Sequence, residues 1–177
     1  MNINAEEAWL NRACVQLAEL APQLALVSAS LDQATRRVLM YAHVRASDQA
    51  EQQVGTKHVL LGIYDEGENA GTRVLRALGY EAPIVQQALN EFQSQMENPR
   101  GSGGNDGFFT ELLVSALARA WEQMAFEGYA NGLSPAFLVL GLWREGDGAA
   151  GRALAQLGQS YAEAQAQVRI VSGLTSK

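Results

Sequence analysis

Residues 56–79 read TKHVLLGIYDEGENAGTRVLRALG, and residues 134–158 read SPAFLVLGLWREGDGAAGRALAQLG. From Gly62 onward the two stretches run in step at an offset of 79: Gly62 with Gly141, Tyr64 with Trp143, Glu66 with Glu145, Gly67 with Gly146. Arg73 then matches Arg152, Leu75 matches Leu154, and Leu78-Gly79 matches Leu157-Gly158. Shared punctuation and shared apolar positions over such a length mark two copies of one supersecondary unit. A unit that cannot bury its apolar face alone packs against its twin, so the seam between the copies is where a groove is expected.

Outward from the repeat, each copy resolves into four helices. In the first, Ala34, Val38, Leu39, Ala42 and Ala46 fall three or four apart and form one helical face. Thr56 is read as the cap of a short helix through about Glu66, and Gly67 as its end, because glycine enters the left-handed region freely. Asn69 caps the next helix, which stops at Gly79, and Glu81 followed by Pro83 opens a fourth through about Phe92. Residues 93–107, QSQMENPRGSGGNDG, read as a flexible polar linker. In the second copy Thr110 caps a helix through Leu113, Ala116, Leu117 and Ala120. Ser134-Pro135 starts the next, and Gly146 and Gly148 punctuate the turn after it. Gly158 ends the third helix, and Ser160 with Glu163 forms a capping box for the fourth. Ahead of the repeats, Leu10, Ala13, Cys14, Leu17, Leu20 and Leu24 make a helical stripe interrupted near Pro22, with no counterpart before the second copy. The expectation is an all-α fold. Two pseudo-symmetric four-helix repeats (29–92 and 108–170) pack into one domain, joined by the linker 93–107, with one extra N-terminal helix (1–28) and a frayed tail (171–177).

Composition narrows the function classes. A net charge of −6 and a pI near 4.9 argue against nucleic acid or an anionic membrane as partner. No run approaches the roughly 18–20 apolar residues that span a bilayer, and MNINAEEAW lacks the basic and apolar regions of a secretory signal. One cysteine, Cys14, excludes an internal disulfide framework and fits a reducing, cytoplasmic setting.

The order F-T-E…A-L (Phe109 to Leu117), T-x-H-x-L-L-G (Thr56 to Gly62), E-G-(E/D)-(N/G)-A (Glu66 to Ala70 and Glu145 to Ala149) and the closing L-G resembles the Clp N-terminal domain family. That family is the paired-repeat module heading the Clp unfoldases, and the resemblance covers about residues 29–170. It implies a double four-helix repeat that receives substrate proteins, adaptors or peptides. The unfoldases hydrolyse ATP through a P-loop with Gly-Lys-Ser/Thr. Here the only lysines are Lys57, followed by a histidine, and Lys177. The chain is therefore read as a stand-alone domain of this family lacking the ATPase, in preference to a fragment of a longer protein.

Sites follow the same logic. Gly146 to Gly151 matches G-x-G-x-x-G in form, but a helix precedes it where a dinucleotide site needs a strand. The acidic turns Asp65-Glu66-Glu68 and Glu145-Asp147 lack an EF-hand pattern. His43 and His58 lack further ligands at metal spacing, and no nucleophile signature occurs. No catalytic residue, metal or cofactor is expected, and His58 is read as securing helix packing. In some relatives the glutamate of T-E-H recognises phosphorylated arginine; those positions are Lys57 and Ala136 here, so that activity is expected to be lost. The resemblance implies an apolar peptide-binding surface near Phe108 and Phe109, with Leu31 as the first-repeat counterpart. Trp9 is read as either an anchor of a covering helix or part of a docking helix for a partner. The chain is expected to be a non-enzymatic accessory or adaptor of the Clp chaperone–protease system. Its partners would be Clp unfoldase or protease subunits, or their substrate proteins and peptides; a decoy that sequesters peptides or toxins away from Clp proteins is the alternative.

Overall fold

A computed structural model describes residues 3–20, 22–95 and 107–174. Ten helices occupy them, in the order α1 (Ile3–Leu20), α2 (Pro22–Ala29), α3 (Gln33–Asp48), α4 (Thr56–Glu66), α5 (Ala70–Ala77), α6 (Ala82–Gln95), α7 (Glu111–Phe126), α8 (Pro135–Glu145), α9 (Ala149–Gln156) and α10 (Tyr161–Val171). The repeat is visible in the lengths. Helices of 16, 11 and 8 residues (α3, α4, α5) are followed by helices of 16, 11 and 8 (α7, α8, α9). Turn chemistry repeats with them: Gly67 and Gly146, then Gly79 and Gly158, all carry positive φ just past a helix end.

Within each copy the first two helices cross closely because a glycine replaces a side chain at the crossing. A Cβ on Gly62 would meet the Val38 carbonyl oxygen at 2.7 Å, and one on Gly141 would press still deeper into the Ala116 carbonyl and Ala120. The copies then interlock. α5 packs on α8 and α4 on α9, while α10 meets α5 and α6 meets α9. Gly71 permits the first of these contacts, with Pro135 where its Cβ would be. A single core results, running from Leu39, Leu60, Ile63 and Leu75 to Leu113, Leu117, Phe137 and Leu154, each at most 1% exposed.

Four details differ from the sequence reading. The N-terminal stripe is two helices, since α2 restarts at Pro22, a residue whose fixed φ suits the first turn of a helix. The cap of α4 is Gly55, and Thr56 is the first helical residue. α6 runs on to Gln95; the rest of the linker, except Gly107, lies outside the described residues. At the C-terminus Val171 is still helical, Ser172 caps it and Leu174 packs on the core, while 175–177 lie outside the described residues.

Candidate functional site

Two short extended pairings stitch the repeats together. In one, Leu31 lies parallel to Leu133; in the other, Val54 lies parallel to Phe109. They are the same seam made twice. Leu133 takes the Asp32 N–H (3.2 Å) and gives its own to Ser30 (2.6 Å). Val54 takes the Thr110 N–H (3.0 Å) and gives its own to Phe108 (3.0 Å). The segment just before the first helix of each copy therefore pairs with the segment just before the second helix of the other. Asp32 and Thr110, one residue beyond the pairings, cap α3 and α7 by accepting from Thr35 and Leu113. Burial pushes the Asp32 carboxyl above its ordinary pKa, against the hydrogen bonds from Thr35.

The Val54–Phe109 seam carries a cover. Trp9 of α1 stacks on His43 at 4.0 Å between ring centroids and meets Phe108 and Phe109 edge-on at 6.0 and 5.7 Å. Gln16 accepts the Phe108 N–H at 2.8 Å, His43 Nδ1 lies 2.5 Å from Glu6, and Arg36 donates to Asn11 at 2.9 Å. With Leu10, Ala13 and Leu17 buried alongside, α1 belongs to the core. At about 2 kcal/mol for each large side chain taken from water, this is a firmly docked element.

Beneath the same seam, His58 is wholly buried, and its Nδ1 accepts the Gly55 N–H at 2.9 Å. Burial lowers its pKa to about 4, with Glu51 opposing the shift and Lys57 and Arg45 adding to it. Lys57 forms an ion pair with Glu51 and is 16% exposed. Thr56, buried at the first turn of α4, reaches the other copy instead of capping its own helix, its hydroxyl accepting from Ala150 at 3.4 Å.

The predicted site residues thus divide. Trp9, Phe108 and Phe109 are brought together, and Leu31 stands at the twin seam. Trp9 and Phe109 are each only 6% exposed, so they are a packed cluster and not an open surface, because α1 lies over them. Phe108 and Leu31 are partly exposed. Ala136 is fully buried in α8, and Lys57 is held by Glu51. Sequence reasoning passed over Val54, Leu133, Gln16 and Glu51. Val54 and Leu133 lie 79 apart, so the repeat offset itself could have found them. A separate concavity of about 470 Å³ runs along α10, with Arg169, Ile170 and Leu174 in its wall. Among the described residues no group of three or more His, Cys, Asp or Glu side chains is placed to hold a metal, and no helix is long and apolar enough to cross a membrane.

Known proteins match this architecture. The model of the Clp repeat (R) N-terminal domain matches residues 30–157, which include both seams and leave α1, α2 and α10 outside. Chaperone protein ClpB of Oceanobacillus iheyensis is 28% identical over 133 residues, and the negative regulator of genetic competence ClpC/MecB of Bacillus subtilis is 29% identical over 136. Each alignment covers 75% of this chain, which spans 16% of the relative's length. Two solved structures share the fold. They are the N-terminal domain of the chaperone ClpD from Arabidopsis thaliana (TM-score 0.59, 19% identity, 80% of this chain and 94% of that one) and the N-domain of ClpV from Vibrio cholerae (TM-score 0.62, 20% identity, 84% and 88%).

Proposed function

Since this chain belongs to the Clp repeat N-terminal domain family, we propose that it is a non-enzymatic protein- and peptide-binding module, acting as an accessory or adaptor of the Clp chaperone–protease system. The observation that carries the reading is the match over residues 30–157, which takes in α3 to α9 and both seams. Its partners are Clp unfoldase or protease subunits, or the substrate proteins those subunits handle. The contact residues are Leu31 on the first seam and Phe108 on the second, both partly exposed, with Phe109, the counterpart of Leu31, and Trp9 packed beside Phe108. Phosphorylated arginine is not the ligand. Lys57 offers a cation already engaged by Glu51, and Ala136 offers no acceptor and no access. The same reading has the protein act in the cytoplasm, the compartment that suits a single unpaired cysteine.

The test is capture of purified Clp unfoldase and protease subunits on the immobilised full chain, beside the Leu31→Ser/Phe108→Ser variant. Near-stoichiometric capture that the variant loses is the expected result. Failure to capture any subunit, with unfolded peptides retained instead, would overturn the adaptor role in favour of a sequestering one.

A further inference from the structure

The two histidines of this chain stand at opposite ends of one line of contacts. His58 holds Gly55; the next residue back, Val54, holds Phe108 and Thr110; Phe108 and Phe109 carry Trp9; and Trp9 stacks on His43. Gln53 adds a clamp along the same line, donating to the Gly107 and Phe109 carbonyls at 3.0 and 3.4 Å. The other seam has no such line. The residue equivalent to His58 is Phe137, which is fully buried and can neither accept nor titrate.

The chemistry of the cap sets the two seams apart. A third-residue glutamate or glutamine ordinarily reaches back to the N-cap N–H in a capping box. Here an imidazole does that work, and only its neutral form has a lone pair to offer. Protonation turns Nδ1 into a donor aimed at the Gly55 donor, so the bond is replaced by opposition between two N–H groups. The surroundings do little to absorb the charge. Glu51, in the segment between α3 and α4, has Oε2 at 3.5 Å from Nε2, but the ring nitrogen makes no hydrogen bond and Glu51 already holds Lys57. Lys57 on α4 and Arg45 on α3 both disfavour a cation there.

We propose that His58 is an acid-operated latch on one seam only: a proton on its ring releases the cap of α4, frees Val54 from Phe108 and Thr110, and loosens the aromatic cluster on which α1 is docked. The depression of the His58 pKa by burial agrees with this geometry, since it keeps the latch closed near neutrality.

Amide exchange of the full chain, followed by NMR from about pH 7 to about pH 4.5, tests the proposal. The Val54 and Thr110 amides should lose protection roughly fiftyfold over that interval, while the Leu133 amide of the twin seam changes by less than about threefold. His58→Gln keeps an acceptor for the Gly55 N–H and removes the titration, so its Val54 and Thr110 amides should stay protected throughout. His43→Gln, at the far end of the line, should leave the loss at Val54 and Thr110 in place. Equal loss at both seams, no loss at either, or an unchanged transition in His58→Gln overturns the latch. If His58→Gln does not fold, the comparison of the two seams within the natural chain decides alone.

Discussion

The two seams are one design carried out in different materials. Both use a two-bond parallel pairing flanked by a capped helix, and Asp32 and Thr110 perform the same capping at equivalent places. Around the Leu31–Leu133 pairing the support includes Phe137, packed on Tyr129, in the place of the histidine. Around Val54–Phe109 it is aromatic and titratable, with His58 beneath and Trp9 above. Duplication preserved the backbone hydrogen bonds, which depend on geometry alone, while the side chains that back them diverged. The comparison teaches that internal symmetry in this fold resides in the main chain and the glycines, and that functional difference between halves resides in what packs on them.

The sharpest way to break the comparison is to truncate the equivalent residues. Phe109→Ala removes a ring buried under Trp9 and should cost about 4 kcal/mol in urea unfolding, whereas Leu31→Ala, at a partly exposed position, should cost about 1 kcal/mol. Equal losses would mean that α1 adds nothing to the second seam.

Acid comes next. His58 has a folded pKa of about 4 against about 6.5 unfolded, so the unfolded chain binds the extra proton between these values. Stability is fully present above the unfolded value and falls as the pH drops toward the folded one, by about 3 kcal/mol in all. Urea midpoints of the natural chain across this range should show the loss, and those of His58→Gln should be flatter by that amount.

A smaller effect separates the helix crossings. Both Gly141→Ala and Gly62→Ala overfill a crossing, at roughly 1–3 kcal/mol, and Gly141→Ala should be the costlier because its Cβ meets Ala116 and Ala120 more closely. Smallest are the caps: Asp32→Ala and Thr110→Ala should each lose about 1 kcal/mol, read as a shift in thermal midpoint.

Much of this fold could be read from the chain because its signals are local. The positive-φ glycines after the helices, the Asn69 and Thr110 caps and the Ser160–Glu163 box each depend on a few neighbouring residues, and the 79-residue offset doubles every one. What stayed hidden depends on distant partners. Thr56 has the residue type of a cap, yet it is the first helical residue after the Gly55 cap, and its hydroxyl serves Ala150, 94 positions on. Trp9 and Phe109 look like ligand anchors in sequence, and no periodicity reveals that they are anchors for each other. The candidate contact residues were legible as types, while their exposure was decided by α1, whose docking rests on long-range pairs such as Gln16 with Phe108.

One contact far from the seams has a meaning of its own. The Tyr80 hydroxyl accepts the Gln159 N–H at 2.9 Å, and these two residues are themselves 79 apart. A residue touching its own counterpart marks a dyad. In a homodimer of identical subunits, whatever lies on that axis must be complementary to a copy of itself, which restricts it severely. Covalent linkage of the halves lifts the restriction. One side here supplies a phenol that also packs on Trp143, and the other supplies only a main-chain amide. The molecule thus keeps the economy of a twofold assembly while its centre is free to be asymmetric.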